Sequence, residues 1–210
     1  MSTSDTYIFI DTCSLLVSCW DVFRDNTVAY NQEKDQRFWG GEISTLERIG
    51  TIILTKRNYD ELKKLSHVRN DPRRPQLGER CSQVLSRLAP LLAKKTISIV
   101  GDPNDPFADA ILLSVALKFR TQKNLLFLTQ DRALASDLIA ISNFQSVRPR
   151  GGYELKVRRL NARGAIERWH LGGVSSGWQT KSYSRPNQIF RGKIKQESDQ
   201  SPEHEWWRLP

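Results

Sequence analysis

Tyr7-Ile8-Phe9-Ile10-Asp11-Thr12 is the stretch on which the fold turns. Four apolar residues in a row, rich in Ile and aromatics, run straight into a carboxylate. An unbroken apolar run of this kind predicts a strand covered on both faces, the mark of a parallel sheet with helices above and below. Asp11 then falls at the strand's carboxyl end among apolar neighbours. An ionised carboxylate placed there costs free energy unless a cation or several hydrogen-bond donors compensate it.

Strand and helix patterns alternate from this point on. Residues 14–23 are apolar at helical spacing (Leu15, Leu16, Cys19, Val22, Phe23), and a second helical pattern over 38–49 is interrupted by Gly40-Gly41 and ended by Gly50. Residues 51–55 read as a second strand and 58–68 as a helix. Asp71-Pro72-Arg73-Arg74-Pro75 is a breaker, and 78–95 form a long amphipathic helix with Cys81, Val84, Leu85, Leu88, Leu91 and Leu92 on one face. A third strand over 96–100 follows. Asp105-Pro106 then opens a helix running to about residue 119, with Asp at the N-cap and Pro at the first helical position. Residues 125–129 give a fourth strand, 131–142 a helix and 145–147 a short fifth strand. This alternation predicts a three-layer α/β/α domain over 1–150 with a parallel sheet of about five strands. One reversal of winding gives the order 3-2-1-4-5. Residues 151–210 read as a basic extension. It holds a possible β-hairpin, with Tyr153, Leu155 and Val157 alternating and then Ile166, Arg168 and His170, around the turn-forming Asn161-Ala162-Arg163-Gly164. From Gly172 onward Gly, Ser, Pro and charge predict little order.

Charge is concentrated. The chain of 210 residues has a net charge of +9, but residues 147–195 alone hold twelve Lys and Arg against two acids. Such a block points to a polyanion, most often nucleic acid. Positive residues interleaved with aromatics suit a single strand, cations following the phosphates and rings stacking on bases. Arg148, Arg150, Lys156, Arg158, Arg159, Arg163, Arg168, Trp169, Trp178, Arg191 and Lys193 are the candidate contacts. Cys13, Cys19 and Cys81 have no metal-site spacing, and His67, His170 and His204 are scattered, so neither a disulfide framework nor a zinc site is expected. No apolar run approaches a membrane span, and residues 1–5 do not resemble a signal peptide. The expectation is a soluble, cytoplasmic protein.

Loops at the carboxyl ends of parallel strands form the ligand crevice, centred where the winding reverses. Asp11 follows strand 1 and Asp131 follows strand 4, neighbours at that reversal. Glu61 lies in the first turn of the helix after strand 2, and Asp105 and Asp109 open the helix leading into strand 4. All converge on one rim. Crowded carboxylates without His or Cys suit Mg²⁺ or Mn²⁺, which can orient and activate a water for in-line attack on a phosphate. Each acid also has a plainer reading. Asn58-x-x-Glu61 has the form of a capping box, Asp105 and Asp131 are good N-caps, and Asp109 is favoured by the helix dipole in a first turn.

Ile8-Phe9-Ile10-Asp11-Thr12, Tyr59-Asp60-Glu61-Leu62, Asp109-Ala110-Ile111-Leu112-Leu113 and Leu128-Thr129-Gln130-Asp131 together resemble the PIN-domain nucleases, over residues 6–149. The resemblance implies that Asp11, Glu61, Asp109 and Asp131 are the catalytic, metal-binding acids of an endoribonuclease. It also implies that Thr12 and Thr129 are supporting hydroxyls. Many small members of that family pair with an inhibitory protein, so such a partner is expected alongside RNA. Rival readings fit less well. A dehalogenase-type phosphatase needs Asp at position 13, which is Cys. A metal-ion-dependent adhesion site needs Ser at 13 and 15, which are Cys and Leu. A non-catalytic nucleic-acid- or protein-binding module on the same fold is the main alternative. Binding a polyanion gains nothing from acids in the groove, so the expectation is a metal-dependent nuclease acting on single-stranded RNA ahead of DNA.

Overall fold

The computed structural model describes residues 6–16, 32–68, 77–102, 108–144 and 152–169. Its centre is a six-stranded sheet in the order β3-β2-β1-β4-β5-β6. The strands are β1 (Thr6–Ile10), β2 (Thr51–Thr55), β3 (Ile97–Val100), β4 (Asn124–Leu128), β5 (Leu155–Leu160) and β6 (Ile166–Arg168). The first five run parallel and only β6 is antiparallel to its neighbour. The helices are α1 (Thr12–Leu15), α2 (Gln32–Arg37), α3 (Ile43–Ile49), α4 (Lys56–Ser66), α5 (Leu77–Ala93), α6 (Ala108–Phe119) and α7 (Arg132–Asn143).

The period of two along each strand sorts the core into two halves. Ile8, Ile10, Ile52, Leu54, Leu126 and Leu128 face one side, with Phe38, Ile43 and Leu46 from the α2–α3 region, Leu62 from α4, and Cys81, Val84 and Leu88 from α5. Phe9, Ile53, Leu125, Phe127 and Val157 face the other, against Leu112 and Val115 of α6 and Leu134 and Leu138 of α7. Phe9 and Phe127 are register partners across β1 and β4, and their rings stack at 5.2 Å. Two-sided covering is why these strands read as solid apolar runs.

The interrupted helix over 38–49 is real. Phe38–Glu42 forms a π-turn that joins α2 to α3, and Gly40 and Gly41 lie inside it. Gly50 then lies so close to Thr6 that a Cβ would collide with the Thr6 backbone.

Three differences from the sequence-based expectation bear on the site. The strand beside β4 is β5 at Leu155–Leu160, not residues 145–147, which lie outside the described residues. The hairpin after residue 150 does form, and it completes the main sheet, so the sheet crosses the 150/151 division. Its turn is held by Asn161, whose side chain accepts from the Arg163 and Ala165 N–H groups, and by Gly164 at φ 78. Gly164 packs against the backbone of Lys34 in α2, where a Cβ would collide with a carbonyl. Finally, α4 begins at Lys56, with Thr55 as its N-cap. Asn58 is therefore inside the helix and caps nothing downstream. The helix expected over 14–23 is described only through Leu16, and Asp105 and the segment from His170 onward lie outside the described residues.

Candidate functional site

Asp11 ends β1 at the centre of the sheet and is only 8% exposed. The Cys13 thiol donates to its Oδ2 at 2.6 Å, the Thr129 hydroxyl donates to the same oxygen at 2.9 Å, and Asn58 Nδ2 donates to Oδ1 at 3.3 Å. All three partners are neutral. Burial dominates, so the Asp11 carboxyl is raised to about 6, with the Asp109 charge adding to the effect and the Cys13 and Thr129 bonds opposing it. The Cys13 thiol in turn is pushed up by its own burial and by Asp11.

Thr129, at the end of β4, also accepts from the Asp131 N–H at 3.0 Å, so one hydroxyl ties the Asp11 side chain to the Asp131 backbone. Asp131 caps α7. Its Oδ1 accepts from the Ala133 and Leu134 N–H groups, so the plainer reading of this residue holds for one of its two oxygens. Thr12 donates to Glu61 Oε2 at 2.7 Å and fixes the direction of that side chain. Asp109 sits in the first turn of α6. It is exposed, yet its carboxyl is raised, first by partial desolvation and then by the charges of Asp131, Glu61 and Asp137.

The four predicted acids thus come together. Asp11, Glu61, Asp109 and Asp131 line one cleft of about 570 Å³, with Thr12 and Cys13 beside them. Their donor set is all oxygen, which fits Mg²⁺ or Mn²⁺. Among the described residues no three His, Cys, Asp or Glu side chains stand close enough together to hold a metal ion.

Sequence reasoning missed two residues here. Asn58 is fully buried and donates to Asp11, while its own carbonyl accepts from Thr55 at 2.6 Å. Its signal was the Thr55-x-x-Asn58 spacing, hidden because Thr55 both ends a strand and caps a helix. Cys13 accepts from the Gln130 N–H at 3.1 Å as well as donating to Asp11, so it joins the first strand's end to the fourth's. Nothing in the sequence marked it.

The basic block is only partly brought to the site. The Trp169 indole N–H donates to the Thr129 carbonyl at 3.0 Å, which ties the hairpin to the rim. The Arg159 guanidinium lies 5.2 Å from the Trp169 ring and pairs with Glu167, so one face of that ring is taken. Lys156 pairs with Glu154, whose carboxyl it lowers. Arg158 and Arg168 are direct cross-strand partners and line a second cleft of about 440 Å³ with Lys156 and Trp169. Arg163 is exposed at the hairpin turn. Arg148, Arg150, Trp178, Arg191 and Lys193 lie outside the described residues. Among the described residues no helix is long and apolar enough to cross a membrane.

No family model matches the chain, and no curated protein matches it.

Proposed function

We propose that the protein is a metal-dependent endonuclease of the PIN-domain kind that hydrolyses phosphodiester bonds of RNA. One observation carries the reading: acids from four separate elements line a single cleft, and Asp109 is raised in part by Glu61 and Asp131. Gathering like charges destabilises the protein alone and becomes favourable only when a cation is held there. Asp11, Glu61, Asp109 and Asp131 would hold the ion. A bound Mg²⁺ or Mn²⁺ supplies an activated water and stabilises charge on the phosphate oxygens.

The remaining tasks belong to the chain itself. Thr12 aims Glu61, while Thr129, Cys13 and Asn58 hold the Asp11 carboxylate in one orientation. Such pre-organisation keeps the acids from relaxing away from one another. A non-catalytic binding module is the weaker reading, because acids in the groove repel a polyanion.

The deciding experiment incubates the full chain with mixed-sequence RNA and single-stranded DNA in Mg²⁺, Mn²⁺ or chelator. RNA is expected to be cut with metal and left intact with chelator. RNA intact under every condition would sink the nuclease reading, and equal cutting of DNA would remove the preference for RNA.

A further inference from the structure

The cleft contains two cations that the carboxylate chemistry leaves unused. Arg57 and Lys64 of α4 line it together with Glu61. Positions 57, 61 and 64 are four and three residues apart, which places them along one helix face. From 57 to 64 the helix rises two turns, about 10 Å.

The other cations of α4 are committed elsewhere. Lys56 pairs with Asp60, the remaining acid of this cleft, and Lys63 lies 4.7 Å from the Tyr59 ring. Among the described residues, Arg57 and Lys64 have no acidic partner within salt-bridge reach. Both are exposed, so their side chains are free to swing over the cleft.

We propose that Arg57 and Lys64 grip the backbone of a single-stranded nucleic acid on either side of the phosphate presented to the carboxylates. This rests on the nuclease reading and adds the substrate grip that the acids cannot provide. A strand laid across an acidic cleft needs positive charge at the flanking phosphates. Arg57 offers a planar fork to two phosphate oxygens, and Lys64 a point charge. Their separation exceeds that of neighbouring phosphates in a strand, so they meet different ones. The basic hairpin then guides the strand, while α4 sets its register over Asp11.

The test is fluorescence anisotropy of an end-labelled RNA of about 12 nucleotides with the full chain, in chelator, over a range of salt. R57Q/K64Q is expected to weaken binding about tenfold and to make the slope of log affinity against log salt shallower by about 1.4, or 0.7 per lost phosphate contact. R57K/K64R keeps both charges and should keep the wild-type slope. K94Q, an exposed cation outside the cleft, should bind as wild type. An unmoved slope in R57Q/K64Q, an equal loss in K94Q, or no measurable binding by the wild type would overturn the proposal. Since no metal is present, this result is separate from cleavage. Binding that needs both cations, with RNA left uncut in Mg²⁺ and Mn²⁺, would defeat the nuclease reading alone. Cleavage with an unmoved slope would defeat only the grip.

Discussion

Arg159 on β5 has Glu167 opposite it across the ladder and the Trp169 ring beside its guanidinium, whereas Asp11 at the end of β1 has neutral hydrogen-bond partners. Both charges sit at the ends of parallel strands of one sheet. In the hairpin two cations are settled by neighbouring acids, Arg159 by Glu167 and Lys156 by Glu154. The rim does the reverse. It buries one carboxylate and sets three more along the same cleft, where the charges of Asp131 and Glu61 help to raise Asp109 and that of Asp109 helps to raise Asp11. A cation settled by a neighbouring acid serves the shape of the hairpin. The like charge on the rim has no such neighbour among the described residues, and the proposed cation would supply what it lacks.

The most direct way to break this contrast is Asp11→Asn. It keeps the shape and removes the charge at the centre of the rim. Metal-dependent RNA cleavage is expected to fall on the order of a thousandfold, about 4 kcal/mol of barrier. Undiminished cleavage by a clean preparation would place the chemistry elsewhere.

Acidity sharpens the contrast next. The Asp11 carboxyl is raised from 3.8 to about 6, so the folded chain holds this proton more tightly than the unfolded chain does. The contribution of this group to the stability of the metal-free protein is therefore most favourable below about pH 4 and declines by about 3 kcal/mol as pH rises towards 6. Denaturant unfolding at several pH values should show that decline in the wild type and a flatter profile in D11N. A wild-type stability rising through this window would contradict the burial argument.

For the hairpin the strongest lever is geometric. Gly164 combines φ 78 with close packing on the Lys34 backbone. Gly164→Ala is expected to cost about 2–3 kcal/mol in thermal or denaturant unfolding. A neutral result would mean that the turn is not anchored on α2. The smallest effect is expected at the Arg158 and Arg168 cross-strand pair, the one like-charged pair in this ladder. Arg168→Gln should leave stability unchanged or raise it by about 0.5 kcal/mol, because like charges directly opposite repel. A clear loss would show that this pair too is compensated.

The four parallel strands around Asp11 were legible because both faces of each are covered, and a short unbroken apolar run between turn residues suits a buried strand better than a surface one. The order 3-2-1-4 followed from handedness and the single reversal. β5 was harder. In Leu155-Lys156-Val157-Arg158-Arg159-Leu160 the apolar positions are separated by cations, since only part of this strand is covered. It therefore reads like a surface hairpin. The acids were legible from their places after strands and at helix starts. What holds them was not. Asn58 acts through a side chain turned back beneath α4, and Cys13 acts only because α1 turns its thiol onto the carboxylate two residues before it. Such contacts depend on backbone turns that residue types alone do not specify.

The central pairing of β1 with β4 also sets an order of events. Thr129 is 118 residues from Asp11 along the chain, and the Asp11 N–H bonds the Leu128 carbonyl at 3.0 Å. A growing chain can wind α5 from local bonds at once, but it cannot close this ladder until β4 has been made. The surroundings of Asp11 are therefore completed only after β4 exists, well after the residues of α5 have been made. Pulsed hydrogen exchange during refolding should protect the α5 amides before that of Asp11. Simultaneous protection would show that the long loop closes early.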